Sequence, residues 1–174
     1  MDAQTYSAGD CRKMSVSEKI EFLHLVHTEE ISLWDDDGNE NEIWKDYDAV
    51  QDELLARPEV LDCGDILHVM RIFDDGCFEL SWQLNLAKIL TRSCLYHGKE
   101  RIALYLRHLE EVPSGGRFHG WHIPMGWLAG DENLPVFKAS LEEQSPETKE
   151  TILTILADMD LPPEKRAELD AVLN

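Results

Sequence analysis

Cations are scarce in this chain: 16 Lys and Arg stand against 35 Asp and Glu in 174 residues, a formal net charge of -19. Such a surface repels phosphate backbones and anionic bilayers, which excludes direct nucleic-acid or lipid binding as a leading function. No apolar run is long enough to span a membrane, and the opening MDAQTYSAGDCRKMS has no apolar segment of the secretory type, so a cytoplasmic location is expected. The four cysteines, Cys11, Cys63, Cys77 and Cys94, form no C-x-x-C pair, and no histidine pair lies at zinc-finger distance from them. Reduced, mostly packed and inert thiols are therefore expected, Cys63, Cys77 and Cys94 lying in or beside apolar helical stretches. The chain also lacks G-x-S-x-G, a phosphate loop, a dinucleotide fingerprint and H-E-x-x-H. Those absences argue against an enzyme, and no cofactor is expected.

What is present describes a folded protein. Apolar residues make up 43% and charged residues 29%, a composition that can close a core in one domain over residues 1–174, with residues 1–14 expected to be a poorly ordered lead-in. Ser15 and Glu18 form a capping-box pattern before a first helix carrying Ile20, Leu23, His27 and Ile31. A second helix begins near Asn41, with a narrow stripe of Ile43, Tyr47, Val50 and Leu54, and stops before Pro58. Asp62 caps a third, whose stripe is Ile66, Leu67, Met70 and Phe73. After the turn Asp74-Asp75-Gly76, the segment CFELSWQLNLAKILTRSCLYHG is the most apolar helix and is expected at the centre. Gly98 separates it from a fifth helix carrying Ile102, Tyr105, Leu106 and Leu109, which PSGGRFHG closes as a loop. A short helix over Trp121–Leu128, then helices announced by Asn133-Leu-Pro135, Ser145-Pro146 and Pro162-Pro163, complete the chain.

No segment alternates with period two, so the fold is all-α: eight or nine helices packed as antiparallel hairpins, in an irregular HEAT-like α-solenoid or a bundle.

Two histidine pairs, His24 with His27 and His119 with His122, have the i, i+3 spacing that could hold a metal on one helix face. A metal-dependent helical hydrolase using them is the least favoured function, and structural or surface histidines are the expectation. The run DDDGNENEIW fails as a calcium loop: with Gly38 sixth, Leu33 falls at the first ligand position and Trp44 at the twelfth. Of the five tryptophans, Trp82 is expected in the core, and Trp34, Trp44, Trp121 and Trp127 at its edge.

The acid is unevenly placed. Residues 1–60 hold 16 acids and 5 bases, 61–120 hold 8 and 7, and 121–174 hold 11 and 4. On the second helix Glu42, Asp46 and Glu53 share a face, where like charges four apart cost a few tenths of a kcal/mol. One account is solubility. The other is a surface steering a basic protein, supplied by Asp35, Asp36, Asp37, Glu40, Glu42, Asp46 and Glu53, with Trp34 or Trp44 as an apolar anchor.

FDDGCFELSWQLNLAKILTRS, RIALYLRHLEEVP and WHIPMGWLAGDENLPVFKASLEEQSPETKETILTILADM, within about residues 66–160, resemble the middle and end of the all-helical immunity proteins of bacterial polymorphic toxin systems, those of contact-dependent growth inhibition included. The likeness rests on helix order, an acidic turn before a long apolar helix, and the closing positions Phe137, Leu141, Lys149, Ile152, Ile155 and Leu156. It implies a non-enzymatic inhibitor that covers the active site or substrate surface of a cognate toxin C-terminal domain, here a basic one of the nuclease type. A helical-repeat adaptor without a toxin is the alternative.

Overall fold

Local punctuation sets most helix starts. The computed structural model describes residues 10–28, 42–74, 76–77 and 79–174. Ahead of α1 (Val16–Thr28), the Glu18 carboxylate accepts from the Ser15 N–H at 2.7 Å while Ser15 Oγ accepts from the Glu18 N–H. Asp62 and Asp65 exchange the same reciprocal bonds at the start of α3 (Cys63–Met70). Ser145 caps α8 (Pro146–Ala157) by accepting from the Thr148 N–H. The remaining helices are α2 (Glu42–Ala56), α4 (Leu80–His97), α5 (Lys99–Arg107), α6 (Ile123–Leu128), α7 (Leu134–Leu141) and α9 (Pro163–Leu173). No strand occurs among the described residues.

The helices pack as a two-layered bundle. In one layer α1 lies against α3, α3 against α5, α5 against α7 and α7 against α9; in the other α2 lies against α4 and α4 against α6. Alternate helices stack through these two rows, α1 with α2, α3 with α4, α4 with α5 and α8 with α9 pair as chain neighbours, and α8 also meets α5. As the composition of its segment requires, α4 is central, touching α2, α3, α5 and α6 and burying Trp82, Leu86, Ile89, Leu90 and Cys94. Gly98, at φ +74°, is the last residue of this turn and the first of the next: its N–H bonds the Cys94 carbonyl, and its carbonyl accepts from Arg101 and Ile102.

Several stripes are wider than their periodicity suggests. On α2 the buried residues are Trp44, Tyr47, Val50, Gln51 and Leu54, with Ile43 only part-buried, because α2 meets both α1 and α4. Phe73 is buried, but in the segment beyond α3. Leu109 lies past α5 in a 3-10 turn. Ile31 lies outside the described residues, and the core of α1 adds Phe22 and Val26.

The largest departure is PSGGRFHG, which is not a loop. Ser114–Gly116 forms a 3-10 turn and Phe118–His122 a π turn whose closing bond runs from the Ile123 N–H to the Phe118 carbonyl, delivering the chain into α6. Tertiary packing imposes it. Gly120 sits where a Cβ would stand 2.6 Å from Val112 Cγ1, and its carbonyl accepts from the buried Tyr105 hydroxyl at 2.8 Å.

Within the expected lead-in, residues 1–9 lie outside the described residues, whereas Asp10–Lys13 forms a 3-10 turn against α2 that buries Cys11. Cys94 is also buried and burial pushes its thiol up to about 12, but Cys63 is exposed at the open end of α3.

Candidate functional site

Two features of the surface could carry function, the outer face of α2 and a carboxylate–histidine cluster between α1 and α3.

Burying one side of α2 sends Glu42, Lys45, Asp46, Asp48 and Asp52 outward, four acids to one base. Among the described residues Glu42, Asp46 and Asp52 make no ion pair and no side-chain hydrogen bond, while Asp48 accepts from Trp82 Nε1 at 2.8 Å. Glu53 is different. It faces the ammonium of Lys19, a buried side chain on α1, at 2.6 Å, with Arg57 at 3.8 Å, so its charge is used within the fold. Trp44 is 2% exposed and stacks on Trp82 with ring centroids 4.2 Å apart, which places it in the core and not on a contact surface. Trp34, Asp35, Asp36, Asp37 and Glu40 lie outside the described residues. The structure therefore brings Glu42 and Asp46 together on one open face, adds Asp52, and assigns Glu53 and Trp44 to internal packing.

The bases explain why this face stays negative. Arg92 donates to the Leu55 carbonyl at the end of α2, Arg101 to Leu61 and Asp62, Arg166 to Leu156 and Met159 at the end of α8, and Lys149 to Val172 at the end of α9. The Leu55, Leu156 and Val172 carbonyls lie in the last turns of their helices, where the dipole favours a cation. Other bases pair with specific acids, Arg71 with Glu111, Lys138 with Glu168 and Lys165 with Asp131.

The second feature was not readable from spacing. His24 does not work with His27. Instead His24 Nδ1 lies 3.1 Å from Nε2 of His68 on α3, and that same Nε2 lies 3.2 Å from Oε2 of Glu21, one turn before His24 on α1. Burial lowers the His68 pKa; the Glu21 carboxylate opposes that shift, and His24 adds to it. Among the described residues this is the one group of three His, Cys, Asp or Glu side chains placed to share a metal ion.

His27 turns inward. Its Nε2 lies 2.6 Å from the Tyr47 hydroxyl, and burial takes its pKa down to about 4. Tyr47 also accepts from Gln51, which donates to the Trp82 carbonyl, so His27 belongs to a buried polar network joining α1, α2 and α4. His119 is buried and His122 stacks on Phe118, each ring taken up by aromatic packing. Neither i, i+3 histidine pair belongs to a group of three converging metal-ligating side chains among the described residues.

Sequence periodicity could place Glu21 and His24 on one face, but only the α1–α3 packing adds His68. No protein-family model matches the chain, and no curated protein or solved structure matches it either.

Proposed function

We propose that the chain is an immunity-type inhibitor that binds a basic toxin domain of the nuclease type through the outer face of α2, catalysing no reaction. The observation that carries this reading is the excess of acid on that face, Glu42, Asp46 and Asp52 with only Lys45 among them, on a protein whose bases on neighbouring elements are turned to backbone carbonyls and to other acids. Such a face raises the local concentration of a cationic partner and accelerates encounter, while contributing less to residence time. The resemblance of residues 66 to 160 to all-helical immunity proteins points the same way.

The test is co-expression with the toxin domain encoded beside the gene, together with binding kinetics over a range of salt. Protection is expected, with an association rate that falls steeply as ionic strength rises. Replacing Glu42, Asp46 and Asp52 together by Lys should slow association by about 10-fold or more at low salt. Undiminished affinity and protection by that variant would discard the acidic face as the binding surface. The stacked hairpins favour one second reading, a helical-repeat adaptor. A linked gene without toxin activity, with a host protein recovered stoichiometrically on α2, would replace the inhibitor by that adaptor.

A further inference from the structure

We propose that Glu21, His24 and His68 form a three-ligand site for a divalent metal ion of the zinc class, which clamps α1 to α3. Glu21 Oε2, His24 Nδ1 and His68 Nε2 converge within 4.8 Å of one another. With both imidazoles neutral, a single proton on either facing nitrogen must serve the contact between the rings, and a carboxylate oxygen brings none. If His68 Nε2 carries it, that proton is divided between His24 at 3.1 Å and Glu21 at 3.2 Å, and two acceptors compete for one donor. If His24 carries it, Glu21 faces the bare nitrogen of His68. One cation satisfies all three lone pairs at once.

The geometry suits zinc. Ligand atoms about 2.0–2.1 Å from a tetrahedral ion lie about 3.3 Å from one another, close to the His24–His68 separation of 3.1 Å and the His68–Glu21 separation of 3.2 Å, with Glu21 and His24 within 4.8 Å of each other. Two imidazoles and one carboxylate make a donor set that favours zinc and its transition-metal neighbours over magnesium or calcium, whose sites are built from oxygen. Asp65 is not part of the converging set; its Oδ1 accepts from Ser17 Oγ and its Oδ2 from the Asp62 N–H. The Glu21 side chain is 48% exposed, so the remaining position opens to solvent and takes water. Binding draws together two helices that are not consecutive in the chain, and an ion held only by the folded form stabilises it in proportion to its affinity.

The full-length chain, stripped of metal, is titrated with Co²⁺ and then Zn²⁺ alone. One Co²⁺ per chain is expected, with the intense visible bands of a four-coordinate nitrogen and oxygen site, displaced by one Zn²⁺ that raises the melting temperature. His24→Gln and His68→Gln should each weaken Zn²⁺ by at least the ~10–100-fold that follows loss of an outer-shell partner of a metal ligand, and Glu21→Gln should also weaken it. His122→Gln, altering a histidine outside the cluster, should bind as the parent does. Absence of stoichiometric binding, or unchanged affinity in both His24→Gln and His68→Gln, overturns the site. If either variant fails to fold, histidine NMR of the parent decides: Zn²⁺ must shift the His24 and His68 rings, and shifts confined to other histidines refute the proposal. Failure here leaves the toxin-binding reading untouched, because that reading is measured on α2.

Discussion

Lys19 on α1 and Glu53 on α2 form an ion pair at 2.6 Å across a boundary where the lysine side chain is 5% exposed and the glutamate 39%. Removing the acid leaves a buried ammonium with only water at the edge for compensation. Glu53→Lys should therefore destabilise the fold by about 2 kcal/mol or more, less than the ~3–5 of a fully enclosed pair because Glu53 is part-exposed. Urea denaturation measures it. A midpoint equal to the parent's would mean that Lys19 finds another partner.

The outer face of α2 should behave in the opposite way. Lys at Glu42, Asp46 and Asp52 touches no buried group; it exchanges one like-charge pair four residues apart for another beside Lys45 and replaces the acid of the first turn, each a surface effect of a few tenths of a kcal/mol. Stability should fall by no more than about 1 kcal/mol. The two experiments separate the acids that hold the fold from those available to a partner.

Stability should fall as pH drops from about 6.5 to about 4, because His27 is held neutral in the folded protein with a pKa of about 4. The unfolded chain takes up the proton first, near the ordinary histidine value of about 6.5, so protonation favours unfolding across that window and adds nothing further below it. The whole effect is at most on the order of 3 kcal/mol. His27→Gln should flatten this part of the urea-midpoint profile, and an unchanged slope would assign the acid sensitivity to other groups.

Glycine positions give a steric contrast. At Gly120 a Cβ would stand 2.6 Å from Val112 Cγ1 and 2.9 Å from Phe73 Cδ2, so Gly120→Ala should cost about 1–3 kcal/mol by overpacking. At Gly126, within α6, the nearest atom is Met159 Cε at 3.4 Å, and Gly126→Ala should gain about 0.5–1 kcal/mol of helix stability. Thermal unfolding of the two variants in opposite directions is the expected result.

Thiol labelling of the native protein should modify Cys63 quickly and leave Cys11 and Cys94 unmodified until the chain is unfolded. Mass spectrometry of peptides after brief maleimide treatment reads this directly. Rapid modification of Cys94 would show that the α4–α5 corner opens in solution.

Helix order and most helix starts were legible because their signals are local: Ser15 with Glu18, Asp62 with Asp65, and Ser145 before Pro146 each act within four residues. The π turn was not, since Gly115, Gly116 and Gly120 read as loop residues, and only Phe73 and Val112, contributed from elsewhere, make the lack of a side chain at Gly116 and Gly120 a packing requirement. The candidate sites divide in the same way. Acidity of the α2 face follows from spacing alone, whereas the fate of Glu53 depends on Lys19, which belongs to another helix. His68 joins Glu21 and His24 through the stacking of alternate helices, a relation that no single-helix pattern contains.

The junction at Gly98 makes α4 and α5 a joint of fixed length. Because one residue closes the first helix and opens the second, an inserted residue has no slack to occupy and would turn α5 by about 100° about its own axis. That rotation would carry Arg101 away from the Leu61 carbonyl and Tyr105 away from Gly120 together, detaching the third helix and the π turn in one step. Change in chain length is thus barred at this corner, and homologous insertions, wherever they exist, belong elsewhere in the chain.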